Sequence, residues 1–186
     1  MLSISKENDA VKEEVINLKK ENERLSSDLE ELCQYGRRLC LRIDNIPVLE
    51  RESSEEVLRS VKSLIEKSGE VIPDSTLDRA HRIGPVYTNK EKGKCQSIIV
   101  RFSTFRHRTL FYRARRKIKT GEKIRLDLTK HRYQLLKEAV RRVEGEELVS
   151  YCYADVNCRL KIKWKDDSED FFNVLGDLND LLDRNC

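Results

Sequence analysis

The sequence predicts an α+β fold in three parts: an N-terminal coiled-coil helix, a β-α-β-β-α-β unit, and a small α/β unit at the C-terminus. Three observations carry that expectation. Apolar residues recur as heptads up to residue 32, periods of 2 and 3.6 alternate over residues 39–128, and a shorter helix, strand, strand, helix pattern fills residues 129–186. The expected boundaries are therefore 1–36, 37–128 and 129–186.

In the first part, Ile4, Val11, Leu18, Leu25 and Leu32 occupy one seam position, and Asn8, Val15, Asn22 and Leu29 the other. Glu13, Glu14, Lys19, Lys20, Glu21, Glu23, Glu30 and Glu31 lie between them, so the rest of the helix is solvated. So narrow a seam suits a partner helix better than the chain's own domain. Asn8 and Asn22 would fix register and parallel alignment. The mixture of Leu, Val and Asn leaves two or three strands open, and Gly36 is expected to end the helix.

The second part begins with a strand at Leu39–Ile46, with Leu39, Leu41 and Ile43 on one face, closed by Pro47. Residues 53–68 read as a helix opened by Ser53 or Ser54 and stopped by Gly69, burying Val57, Leu58, Val61, Leu64 and Ile65. Leu77–Ile83 reads as a strand. Gly84, Pro85, Asn89 and Gly93 mark residues 84–94 as a flexible loop. Ile98, Val100 and Phe102 define the next strand, Thr104 caps a basic helix to about Ile118, and Ile124, Leu126 and Leu128 belong to a last strand after a turn at Gly121. This order is the ferredoxin-like split arrangement used by RNA-recognition modules, in which helices cover one sheet face and leave the other open. Alternation puts Arg42 and Arg101 on the open face, with basic or polar residues of 79–82 beside them.

The third part reads as a helix near 130–144, strands near 149–154 and 158–165, and an acidic helix near 171–183. In the second of these strands Leu160, Ile162 and Trp164 alternate with Arg159, Lys161, Lys163 and Lys165, offering a row of cations to a phosphate backbone.

Charge is distributed unevenly. Residues 79–165 hold 24 Lys and Arg against 8 Asp and Glu, whereas the chain as a whole is only +4. Such a block implies a polyanionic partner. The six cysteines form no C-x-x-C pair and the histidines supply no zinc-like spacing, so neither metal nor cofactor is expected. No apolar run nears eighteen residues and no leader pattern opens the chain, so no membrane is expected and the thiols should be reduced. His81, His107 and His131 lack a nucleophile or carboxylate at catalytic spacing, and a non-enzyme is expected. Asp166, Asp167, Glu169 and Asp170 read as a solvated turn.

The runs QYGRRLCLRIDNIP (34–47), DRAHRIG (78–84), SIIVRF (97–102), TLFYRARRK (109–117), KIRLDLT (123–129) and CYADVNCRLKIKW (152–164) resemble the first-open-reading-frame protein of LINE-type retrotransposons. The resemblance implies a homo-oligomer, usually a trimer, that coats its own element's RNA and acts as a nucleic-acid chaperone on single-stranded RNA and DNA. Ribonucleoprotein particles in the cytoplasm, with the nucleus as a second location, are the setting it implies. Two features depart from expectation. Ordinary RNA-recognition modules display stacking aromatics on the first and third strands, where this chain has Arg42 and Ile99 or Arg101. LINE-type proteins share that lack, which shifts the expected binding toward phosphate contacts. The coiled coil is also short for the family.

Arg101 and Arg115 match arginines in the family's IVRF-like strand and A-R-containing helix, and an arginine fork suits phosphate; the competing reading is an exposed arginine with no special duty. Arg113 and Arg116 share that helix. Lys137 and Arg141, spaced i,i+4, would extend a groove from the last unit. Tyr153 would stack on a base or serve as a core tyrosine, and Lys161 and Lys163 would meet phosphates. The expected arrangement is a cleft between the second and third parts, with Arg101 and Arg115 on one wall and Lys137 and Tyr153 on the other. Two other functions compete with this one: a coiled-coil dimeric DNA-binding regulator, and an RNA-binding adaptor co-opted by a host. Against the regulator, basic-region zippers place their cations before the heptads.

The heptads generate a direct prediction. Light scattering at roughly tens of micromolar should report more than one chain, since short isolated helices are marginal; replacing Leu18 and Leu25 by polar residues should give folded monomers. A monomeric wild type would contradict the reading.

Overall fold

A computed structural model describes residues 2–185, with side chains at 8, 9 and 11–184; the side chain of Ile4 lies outside the described residues. The chain divides into two compact units, 1–36 and 37–186. Helix α1 spans Leu2–Arg37, so Gly36 sits inside its last turn and does not end it. The seam residues Val11, Val15, Leu18, Leu25, Leu29 and Leu32 are exposed, as is Asn22, while the polar surface carries short-range ion pairs such as Arg24 with Glu21 at 2.7 Å and with Asp28 at 3.2 Å. No helix among the described residues is long and apolar enough to cross a membrane.

The remainder is α+β with antiparallel sheets. Strands β1 (Cys40–Pro47), β2 (Leu77–Asn89), β3 (Gly93–Phe102) and β4 (Lys123–Leu126) form one sheet in the order β2-β3-β1-β4, and helices α2 (Ser54–Ser68) and α3 (Phe105–Ala114) pack on it. The local chemistry explains the boundaries. Ser53 and Glu56 form a reciprocal capping box: the Ser53 N–H donates to the Glu56 carboxylate at 2.6 Å, and the Glu56 N–H to the Ser53 hydroxyl at 3.3 Å. Gly69, at φ 72°, takes the left-handed position that ends the helix. Leu41, Ile43, Ile98, Val100, Phe102, Ile124 and Leu126 point to the helices and join Val57, Val61, Leu64, Ile65 and Phe111 in one core.

Two expectations need correction in this sheet. Residues 84–94 are not a loop: β2 and β3 continue as a hairpin to a tip at 90–92, with Tyr87 opposite Cys95 and Asn89 opposite Gly93. The Gly84 and Pro85 breakers fall in a register irregularity between Ile83 and Tyr87, and the Tyr87 hydroxyl beyond it is tied to β1, accepting from the Asn45 N–H at 2.7 Å. Arg82 does not join the open face. Its guanidinium donates to the carbonyls of Ile46, Pro47 and Gln96 and pairs with Glu52 at 2.7 Å, fastening the end of β1 to β2 and β3. The basic helix also ends earlier than expected, at Ala114, and tightens into a 3-10 turn over Arg115–Lys117.

Helices α4 (Lys130–Arg142) and α5 (Leu175–Asn185) cover one face of the second sheet, made of β5 (Val149–Ala154), β6 (Leu160–Trp164) and β7 (Glu169–Phe171) in that order. Leu135, Ala139, Val143, Cys152, Leu160, Ile162, Trp164, Phe172 and Leu178 form its core. β7 begins within the acidic stretch expected to be a solvated turn and takes the first residue of the helix expected near 171–183, which starts instead at Leu175. Asp170 faces inward and accepts from the Trp164 indole at 2.9 Å, while Glu169 and Phe171 face the other way.

The two sheets are joined through a turn at 155–158. Arg108 on α3 is wholly buried and donates to the Val156 carbonyl at 2.6 Å and to the Cys158 sulfur at 3.6 Å. Arg132 on α4 reaches the Cys158 carbonyl at 2.9 Å. Cys158 and Ala154 pack into the first core, and Ala154 also touches the second.

This joint yields a stability prediction. Arg108→Ala leaves a cavity and an unbonded carbonyl and should cost roughly 3 kcal/mol or more. Arg108→Met keeps most of the volume and relieves a buried charge, so it should cost less than half as much. Urea unfolding followed by fluorescence of Trp164, the single tryptophan, checks both values.

Candidate nucleic-acid interface

The two sheets each present a face away from their helices, and the two faces differ in kind. On the four-stranded sheet, Arg42 lies opposite Ile99 and Arg125, and Arg101 lies opposite Cys40 and Arg79. This face is cationic but largely neutralised from within. Asp44, nearly buried, holds Arg125 at 2.6 Å and Arg42 at 3.6 Å and accepts from the Ser97 hydroxyl at 2.6 Å. Asp127 pairs with Arg37 at 3.3 Å even though burial pushes its carboxyl above the ordinary range, and Arg101 pairs with Asp78 at 3.4 Å. Strand alternation continues the Arg42 row to the exposed His81, whose imidazole is its one ring, and brings no Phe, Tyr or Trp into either row, so this face can meet phosphates but offers bases little to stack on.

The three-stranded sheet carries the opposite chemistry. Its pleat sends Tyr151, Tyr153, Lys161, Lys163, Glu169 and Phe171 to one side. Tyr151 lies opposite Lys163, Tyr153 opposite Lys161, and Lys161 in turn opposite Phe171. The two tyrosine rings stand 5.4 Å apart at their centroids. The Lys161 ammonium and the Arg159 guanidinium each sit 4.6 Å from the Phe171 ring centroid. About half the surface of Tyr151 (52%) and Phe171 (48%) is open to solvent. Aromatic rings interleaved with cations on a twisted sheet match what single-stranded nucleic acid needs: stacking surface for bases and positive charge for the backbone.

Glu169 organises these cations. One of its oxygens is 2.7 Å from Lys161, and the other accepts from the Tyr153 hydroxyl at 2.7 Å and lies 4.0 Å from Lys163, which also pairs with Asp167 at 3.0 Å. The Lys161 hydrogen bond holds the Glu169 carboxyl below its usual value. Desolvation, with the Glu169 hydrogen bond second, pushes the Tyr153 phenol up to about 12.

The remaining expected residues are spread over other surfaces. Arg113 and Arg116 are exposed near the end of α3. Arg115 folds back on its own helix, donating to the Tyr112 carbonyl at 2.7 Å and stacking 3.9 Å above the Tyr112 ring, which makes it a helix-end cap. Lys137 and Arg141 lie on the solvent side of α4, and Arg141 is paired with Glu138 at 2.6 Å. The expected cleft walls are therefore not assembled. Arg101 and Arg115 belong to opposite sides of the four-stranded sheet, because Phe102 beside Arg101 packs toward the Phe111 ring of α3. Lys137 and Tyr153 belong to opposite layers of the last unit, because Leu135 and Ala139 face inward and Tyr153 faces outward.

The sequence places Arg159, Lys161 and Lys163 on one face of a strand but sets Tyr153 apart with Lys137, and it does not show Tyr151 and Phe171 as companions of those cations. Tyr151 shares the parity of Tyr153, a signal that alternation carries; Phe171 falls at the expected start of the acidic helix, which hides its place in β7. Among the described residues no three His, Cys, Asp or Glu side chains gather as metal ligands would. No family model matches the chain, and no curated protein matches it.

The Tyr153–Glu169 contact can be checked by spectrophotometric titration. The difference spectrum between wild type and Tyr153→Phe should stay flat through the ordinary tyrosine value of 10.0 and rise only near 12. Ionisation at the ordinary value would mean that the contact does not form.

Proposed function

We propose that this chain is a homo-oligomeric protein that binds single-stranded RNA and DNA and serves as a nucleic-acid chaperone in a LINE-type retrotransposon ribonucleoprotein particle. The observation that carries the reading is the outer face of the three-stranded sheet, where Tyr151, Tyr153 and Phe171 alternate with Lys161, Lys163 and Arg159. Bases in a single strand are free to stack there; in a duplex they are already stacked on one another. The concentration of Lys and Arg in residues 79–165 supports a polyanionic partner, and the strand order β2-β3-β1-β4 with two covering helices supports an RNA-recognition-type arrangement. Self-association rests on the exposed Val11, Val15, Leu18, Leu25, Leu29 and Leu32, an apolar stripe that a parallel coiled coil of three chains would bury. Linked subunits then bind one strand with avidity, which raises apparent affinity without new contacts.

The test is a filter-binding comparison of single-stranded RNA, single-stranded DNA and duplex DNA at several salt concentrations. Single strands should bind tighter than duplex, with a log–log salt slope of about −4 for on the order of six phosphate contacts per subunit. Replacing Tyr151 and Phe171 together by serine should weaken single-strand binding by roughly 10-fold or more at an unchanged salt slope, because stacking carries no counterion term. Equal affinity for duplex, or a double variant indistinguishable from wild type, would overturn the proposal.

A further inference from the structure

We propose that Glu169 is a built-in competitor for phosphate, occupying the cations of the aromatic face until a nucleic-acid strand displaces it. The inference rests on the reading of that face as the single-strand surface and concerns how its affinity is set. A carboxylate offers a lysine two charged acceptor oxygens, as the non-bridging oxygens of a phosphodiester do. Glu169 uses both: one oxygen on Lys161, the other on the Tyr153 hydroxyl and near Lys163. Asp167 takes the other side of Lys163. Both lysines flanking the aromatic rings therefore have their charge answered before any ligand arrives.

The placement favours exchange. Glu169 sits on β7, a three-residue strand at the edge of the sheet with no further strand beyond it among the described residues, so its partly exposed side chain has solvent on one side. Asp167 is in the exposed turn that leads into β7. A phosphate approaching Lys161 meets Glu169 first, and the strand gains the lysine only as the carboxylate leaves. The free energy of each new phosphate contact is reduced by that of the ion pair it breaks. A chaperone must let strands go as readily as it takes them, and an internal anion of fixed local concentration shortens the residence of every bound phosphate without weakening the stacking surface.

The experiment measures equilibrium affinity and dissociation rate of a fluorescent single-stranded oligouridylate on the full chain by anisotropy. Glu169→Gln keeps an acceptor for the Tyr153 hydroxyl and removes only the charge, and it should tighten binding about fivefold, the upper range for one partly exposed ion pair, chiefly through slower dissociation. Asp167→Asn, at a residue with φ 70° where asparagine is tolerated, should tighten binding about twofold and provides the reading if Glu169→Gln fails to fold by circular dichroism. Asp180→Asn changes net charge equally on the exposed side of α5, across the unit from the aromatic face, and should leave affinity unchanged. The Glu169→Gln gain should vanish when Lys161 and Lys163 are both methionine. No gain from either face variant, or an equal gain from Asp180→Asn, would overturn the competitor while leaving single-strand binding intact. A wild type that ignores the oligouridylate would overturn the function and the competitor together.

Discussion

Arg108 is buried to the last atom with no carboxylate within ion-pairing distance among the described residues, and the geometry of the C-terminal half depends on it. Burying a cation is costly unless its donors and charge are answered. Here the answer is partial: the Val156 carbonyl, the Cys158 sulfur and the ring faces of Phe105 and Tyr112, whose centroids lie 5.4 and 5.6 Å from the guanidinium carbon, meet its terminal nitrogens and its charge, while its buried Nε has no hydrogen-bond partner among the described residues. Desolvation lowers its pKa. The turn at 155–158 is consequently pinned, with Asp155 accepting from the amides of Asn157 and Arg159 and Cys158 held at φ 64°. That turn joins β5 to β6. Its position determines which way the hairpin faces, and with it where Tyr151, Tyr153, Lys161 and Lys163 are displayed.

On the proposed reading, a count of cations does not locate the binding surface. The four-stranded sheet displays more arginines, yet Asp44, Asp78 and Asp127 answer several of them, and the Nε of Arg42 is buried without a hydrogen-bond partner. Its arginines hold the sheet and supply a diffuse positive field. The three-stranded sheet has fewer cations, but they flank exposed rings, and their carboxylate partners belong to a short edge strand and its turn. Stacking contributes on the order of 1–3 kcal/mol per base, whereas a partly screened lysine–phosphate contact contributes less at physiological salt. Rings with movable counterions therefore outweigh a larger cation count with fixed ones.

Much of this was legible in the sequence wherever the environment of a residue is decided locally. The capping box at Ser53, the stop at Gly69, and the alternation of Leu160, Ile162 and Trp164 with lysines follow from backbone geometry within a few residues. The seam of α1 is legible for the same reason. What long-range contacts decide was not. Gly84 and Pro85 read as breakers because nothing nearby shows that Tyr87 will be tied to Asn45 on another strand. Arg108 looks like any cation of a basic helix, although its place three residues before the core residue Phe111 puts it on the buried face. Arg115, which matched the resemblance, is used by its own helix end, and Glu169 and Phe171 were invisible because a three-residue acidic strand exists only by pairing with Lys161 and Lys163.

The central claim is that bases meet the outer face of the three-stranded sheet. Photo-crosslinking of thiouridine-substituted single-stranded RNA to the full chain, with adducts mapped by peptide mass spectrometry, tests it most directly. The account predicts adducts concentrated on peptides containing residues 151–153 and 169–171. Adducts confined to β1 and β3 of the four-stranded sheet, or spread over the surface in proportion to exposed lysine and arginine, would contradict it.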